Sequence, residues 1–293
     1  VTWIVLMRAD FQRSMRHIAA PACLLAFCAI AQETTTSLEF HRLPAETLER
    51  RLAGAAKTNA ERATAVRFLL EEAGCAGERL REEAVRGSRL PNVICTLPGE
   101  SGDSILVGAH FDKTDAGDGV VDNWSGASML SSLYESLARV PRRHTFLFIA
   151  FTDEEKGLVG SQGYVKLRKN EVARWRAMIN LDSLGMDSTK VGVSTSHRAL
   201  VASAIAVARS FPLPIDAVNF DLVGRSDSMP FREKNIPVID FHSITQKTWQ
   251  ILHSPRDRAD AIDPRHYYET YRLLAAYLAL LDLKLPDLLP SGK

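Results

Sequence analysis

The sequence lacks an excess of charge of either sign: 36 Lys and Arg stand against 35 Asp and Glu, a formal net charge of +1. No basic run interleaved with aromatics appears, so nucleic acid is not the expected partner. It also lacks an internal repeat, a low-complexity tract and a Pro/Gly/Ser-rich linker, which leaves one large domain as the simplest organisation of 293 residues. There is no H-E-x-x-H, C-x-x-C, Walker A loop or G-x-S-x-G elbow. The helical zinc-protease, dithiol, nucleotide-phosphate and serine-hydrolase signatures are therefore missing. No apolar run is long enough for a comfortable membrane span. Cysteine is scarce, with four in the chain. What is present is ordinary globular material, 46% hydrophobic and 24% charged.

Two of the cysteines fall in "MRHIAAPACLLAFCAIAQ" (15–32). Basic Arg16 and His17, an apolar run of about fourteen residues and Ala29-Ile30-Ala31 follow the order of a secretory signal. Residues 1–31 are thus expected to be an upstream extension and leader with Met15 as the start, and 32–43 an N-terminal linker. An N-terminal core or anchor helix is the alternative. The mature chain is expected in the periplasm or secreted, with no stable membrane insertion. Cys75 and Cys95 remain, either joined in an oxidising compartment or free and buried. Nothing in the sequence sets an oligomeric state.

Residues 44–74 carry apolar side chains at helical spacing and end on Gly74. Residues 78–99 read as a strand, a turn at 86–88 and a second strand. Continuous apolar runs at 104–110, 144–152, 176–184 and 236–242 suit strands buried on both faces. Helical stretches at 126–140, 159–168, 197–210 and 264–283 lie between and after them. Alternation of this kind predicts an α/β fold. The expectation is a single three-layer α/β/α domain over 44–286 around a mixed, mostly parallel sheet without a lid domain, and a short tail at 287–293.

Polar residues recur where these strands end. His110 closes one run; Asp153, Glu154 and Glu155 follow the second, Asp182 ends the third, and His253 follows the fourth after a loop. Ligands of open α/β sheets bind outside the carboxyl ends of the strands. Any one of these acids alone reads as an exposed loop residue. Several delivered to one sheet edge would leave unpaired charge unless a cation joins them. Two His and three carboxylates suit zinc, and Asp122 in "DNWSG" is placed to bridge two ions.

Together "AHFD", "VVDNWSG", "FTDEEKGLVGSQGY", "MINLDSLG", "GRSDSMPF" and "ILHSPRD" resemble the bacterial zinc aminopeptidases of the leucyl aminopeptidase type, a family that also contains glutaminyl cyclases. The resemblance covers roughly residues 45–283; each motif is weak alone and specific in combination. It implies that His110, Asp122, Glu155, Asp182 and His253 hold two zinc ions, with Asp122 shared. It implies Glu154 as general base, Asp112 as the acid fixing the ligand imidazole, and a cis peptide at Asp122–Asn123. Arg225 and Asp227 are candidate substrate contacts, with a mutual salt bridge as the alternative. The implied reaction is removal of N-terminal residues from peptides that have a free N-terminus.

Three features depart from the family pattern. Leu252 stands where some relatives have Tyr before the last ligand His, and Ser228 where many have His or Tyr. His242 is a rival to His253, but only His253 is followed by P-x-D. Glutaminyl cyclisation on the same fold is the nearest alternative activity; a carboxypeptidase or deacylase is expected to insert a lid domain between Asp182 and the last His. A non-catalytic scaffold of this fold would have lost ligands, and a purely structural zinc protein would not need Glu154.

Overall fold

The protein is described by a computed structural model in full over residues 37–219 and 225–289, and by backbone alone at 2–7 and 36. Strands β1 (Thr2–Met7) and β2 (Thr36–His41) precede helices α1 (Ala45–Ala53) and α2 (Asn59–Glu72). Then come β3 (Leu80–Glu83), β4 (Asn92–Leu97), β5 (Ser104–His110), α3 (Ser125–Ala138), β6 (Thr145–Phe151) and α4 (Val159–Leu167). The second half adds β7 (Trp175–Leu181), β8 (Thr189–Gly192), α5 (Arg198–Ser210) and β9 (Ile215–Val218). It ends with α6 (Met229–Arg232), β10 (Val238–His242) and α7 (Pro264–Leu288).

Eight strands form one sheet in the order β3-β4-β6-β5-β7-β10-β8-β9. The central four, β6-β5-β7-β10, are parallel; antiparallel pairs occur at β3/β4, β4/β6 and β10/β8. Alternate residues of the central strands feed two cores. Val107, Ile179 and Ile239 face the larger one with α1, α2, α3, α5 and α7. Leu106, Met178 and Val238 face the smaller one with Tyr164 of α4 and Phe231 of α6. Burial on both faces is why these strands read as unbroken apolar runs. The α/β/α architecture matches the expectation, and the chain between Asp182 and His253 is spent on β8, α5, β9, α6 and β10.

Several details differ from the sequence reading. The helix expected over 44–74 is two helices, because Thr58 restarts it: its hydroxyl accepts the Glu61 amide (3.2 Å) while the Glu61 carboxylate accepts the Thr58 amide (3.0 Å). Within the expected linker, residues 36–41 form β2, with Leu38 and Phe40 buried. Thr2–Met7, expected upstream of the mature chain, pairs antiparallel with it; Thr2, Ile4 and Val5 are β-branched and suit a strand. The expected leader over 15–31 lies outside the described residues. Helix α7 runs to Leu288, past its expected end at 283. Strands β8 and β9 and helix α6, four residues each, are too short to leave a periodic signal.

Cys75 and Cys95 are joined, with Cα atoms 6.2 Å apart. Among the described residues no helix is long and apolar enough to cross a membrane.

Candidate metal centre

Parallel strands in register end together. His110 pairs with Phe151 across β5/β6, and Gly108 with Asn180 across β5/β7. The residues that follow β6 and β7 are thereby brought to the same edge as His110. Asp122 arrives on the turn between β5 and α3, and His253 on the loop after β10.

The five expected ligands form two groups that share one residue: His110, Asp122 and Asp182; and Asp122, Glu155 and His253. Asp122 divides its oxygens between them. Oδ1 lies 3.2 Å from His110 Nε2, and Oδ2 lies 3.1 Å from His253 Nε2. Asp182 Oδ1 is 3.7 Å from His110 Nε2, and Glu155 Oε2 is 3.0 Å from His253 Nε2. Donors sharing a tetrahedral zinc ion at about 2.0–2.2 Å stand about 3.3 Å apart. The donor types and spacings therefore fit zinc in both groups. The buried Oε1 of Glu155 has no hydrogen-bond partner, which leaves it free for a cation.

Supporting contacts fix His110, the glutamate pair and the Asp122 turn from behind. Asp112 accepts the amides of Glu154 and Glu155 (3.0 and 3.2 Å), and its Oδ1 and carbonyl oxygen lie 3.5 and 3.2 Å from His110 Nδ1. Asn123 donates to Leu181 O (2.8 Å), while its Oδ1 accepts the Gly126 and Ser183 amides (3.0 and 3.2 Å). It thus ties the Asp122 turn to the end of β7. A Cβ at Gly126 would stand 2.6 Å from both Asn123 Oδ1 and Leu181 O, so the glycine of "DNWSG" permits this approach. The Asp122–Asn123 peptide is cis, as the resemblance implied. Asp153, Ser183 and His253, all beside the site, adopt φ of 51°, 56° and 52°, a left-handed backbone costing about 1–3 kcal/mol each.

Two further supports leave little mark in the sequence. Asp257 accepts the amides of Val121 (2.7 Å) and Asp122 (3.2 Å); its one trace in the sequence is the P-x-D after His253. Fully buried Arg62 donates to the carbonyls of Ala56, Phe111, Asp118 and Gly119, clamping the loop that leads to Asp122. One of two Arg residues on α2 gives no warning of this in the sequence.

Protein groups alone shift one another strongly. Burial opposes charge on His110, but Glu154, Asp112, Asp122 and Asp182 outweigh it and hold the imidazole well above its ordinary value. Hydrogen bonds to Asp122 and Glu155 raise His253 to about 10. Burial works against Asp122, yet both histidines hold it well below the usual carboxylate range. Burial raises Glu154 most; His110 pulls it back, and Asp227, Asp182 and Asp122 push it up, to about 9.

The remaining candidates separate. Asp227 is buried, with neither oxygen hydrogen-bonded, and burial lifts it to about 7. Arg225 is exposed and donates Nε–H to Met229 Sδ (3.3 Å); no ion pair joins it to Asp227 among the described residues. His242 stays out of both ligand groups. Its Nδ1 accepts the Ile244 amide (3.1 Å), and burial lowers it to about 4.

The chain resembles known proteins. Residues 92–278 match peptidase family M28. Aminopeptidase YwaD of Bacillus subtilis (strain 168) is 30% identical over 185 residues, covering 59% of this chain and 40% of that protein. The structure of BSAP, a zinc aminopeptidase from Bacillus subtilis, superposes with a TM-score of 0.59 at 26% identity over 64% of this chain and 49% of that one. An Acidobacteriales bacterium glutaminyl cyclase gives 0.67 at 15% identity over 82% and 94%, a likeness of fold alone. The chain thus spans less than half the length of YwaD and about half that of BSAP.

Proposed function

The chain belongs to peptidase family M28, and on that premise we propose that it is a zinc-dependent aminopeptidase acting on peptides with a free N-terminus. The observation that carries the reading is the division at Asp122. One oxygen faces His110 and the other His253, while Glu154 stands outside both ligand groups. A metal site built for stability alone has no use for that extra half-buried carboxylate.

In this reading His110 and Asp182 hold one zinc ion, Glu155 and His253 a second, and Asp122 both. Such a pair, when bound, polarises the scissile carbonyl and acidifies a water. Glu154 takes the proton of the attacking water and returns it to the leaving amine. Its carboxyl at about 9 would be drawn down toward neutrality by positive charge in the site. Asp112 keeps the His110 ring oriented and holds the backbone of the glutamate pair. Asp227, whose charge acts on Glu154, and exposed Arg225 are the proposed substrate contacts. The working chain is proposed to be exported, in the periplasm or outside the cell, which the Cys75–Cys95 disulfide supports.

The test is metal analysis of the purified chain with hydrolysis of an aminoacyl anilide panel, a glutaminyl substrate checked for pyroglutamate, and N-blocked peptides. Two zinc ions, activity lost to chelator and restored by zinc, and no cleavage of N-blocked peptides are expected. One ion with pyroglutamate as product would replace the reading by cyclisation. Release of C-terminal residues from N-blocked peptides would make it a carboxypeptidase.

A further inference from the structure

Asp182 and His242 stand at the sheet edge, and the residues two places before them, Asn180 and Asp240, pair across β7/β10. Residues two apart share a face, so all four project on the side of the smaller core. One strand repeat of about 7 Å separates Asp240 from the metal edge. A further repeat down lie Met178 and Val238, within the smaller apolar core. A cavity opens on this face, lined among others by Asn180, Asp182, Ser194, Thr195, Asp240 and His242. Its upper wall is a proposed metal ligand, and its depth is set by the polar layer beneath.

That layer is unsatisfied. Asp240 is 9% exposed and Asn180 1% exposed. Asp240 Oδ1 accepts the Ser226 hydroxyl (3.0 Å), but its Oδ2 and the Asn180 Oδ1 have no hydrogen-bond partner. The basic side chain on the same face, Lys190, is turned to Asp187 and Asp216 (3.3 and 3.0 Å). Among the described residues no ion pair reaches Asp240. Nor does the layer form another metal site, because among the described residues three or more ligating side chains meet only in the His110–Asp122–Asp182 and Asp122–Glu155–His253 groups.

We propose that this cavity receives the side chain of the substrate's N-terminal residue and that Asp240 selects lysine or arginine there. The proposal rests on the aminopeptidase reading of the adjoining site. A substrate backbone held at the metal edge directs its first side chain down the cavity, and a long cationic side chain spans one strand repeat to Asp240. Its N–H groups would satisfy Asp240 Oδ2 and Asn180 Oδ1 in a charge-assisted contact. An apolar side chain of the same length would bury both acceptors unpaired, the situation in which a polar pocket discriminates most strongly. The substrate α-ammonium stays at the edge, too far from Asp240 to replace the side chain.

The experiment compares lysyl, arginyl and norleucyl p-nitroanilides with the zinc-loaded chain, norleucine being lysine without its amine. The lysyl and arginyl substrates are expected to exceed norleucyl at least tenfold in kcat/KM, and Asp240→Asn to lower the lysyl-to-norleucyl ratio at least tenfold. Binding is read separately by calorimetry in the zinc-loaded Glu154→Gln protein with Lys-Ala-Ala and norleucyl-Ala-Ala. Equal turnover of lysyl and norleucyl substrates overturns the pocket and leaves the activity standing. Hydrolysis of no anilide overturns the activity, and the binding pair then decides the pocket: tenfold tighter Lys-Ala-Ala upholds it, and equal affinity overturns it.

Discussion

Asp257 accepts the amide hydrogen of Asp122 at 3.2 Å from 135 positions further along the chain, and the Val121 amide beside it at 2.7 Å. Removing acceptor capacity here should misplace the shared carboxylate without touching any ligand. Asp257→Asn turns an amide group toward one of two backbone donors, and outer partners of metal ligands typically contribute 10–100-fold in affinity. A loss of zinc affinity of about that size is expected in chelator competition, with the circular dichroism spectrum unchanged. Wild-type affinity in the variant would show that Asp122 is held by other contacts.

The neighbouring glutamates should part company when each is altered. Glu154→Gln is expected to keep its zinc and lose about 10²–10⁴-fold in kcat, the range of a positioned acid–base group. Glu155→Gln should bind less zinc, because its Oε2 sits with His253 in one ligand group. Metal content by mass spectrometry and turnover, taken together, separate the two roles.

Proton linkage gives a third outcome. His253 is raised to about 10 and His110 well above its ordinary value, so the folded metal-free chain keeps protons that the unfolded chain releases near pH 6.5. A raised folded pKa adds stability that is complete below the unfolded value and fades as pH climbs through the folded one. The metal-free chain should therefore lose this contribution between about pH 6.5 and 10. Zinc displaces the same protons and binds more tightly as pH rises. The gap in Tm between zinc-loaded and chelator-treated protein is expected to widen from about pH 7 to 9; a constant gap would mean that neither histidine gives up a proton to metal.

The Cys75–Cys95 bond closes a loop of sequence separation 20, for which chain entropy suggests about 3 kcal/mol. Replacing both cysteines by serine should lower the urea midpoint accordingly while zinc stoichiometry is unchanged, since neither cysteine is among the ligand groups. Loss of zinc in the double variant would tie the bond to the site.

The sequence by itself determined which strands are central, because β5, β6, β7 and β10 are buried on both faces and must be apolar throughout. It also determined the chemistry available at their ends, since His110 closes β5, Asp182 follows β7 directly and the glutamate pair begins three residues past β6. Tertiary structure alone decided what local patterns do not encode. Arg62 on α2 clamps backbone carbonyls at a distant loop, and Cys75 finds Cys95. Residues 36–41, expected in a linker, found a place as β2 against the larger core. Asp240 sits inside an apolar run, and alternation places it beneath Asp182 only once β10 is laid beside β7 in register. Each of these depends on which segments become neighbours, and that is settled when two cores close on opposite faces of one sheet.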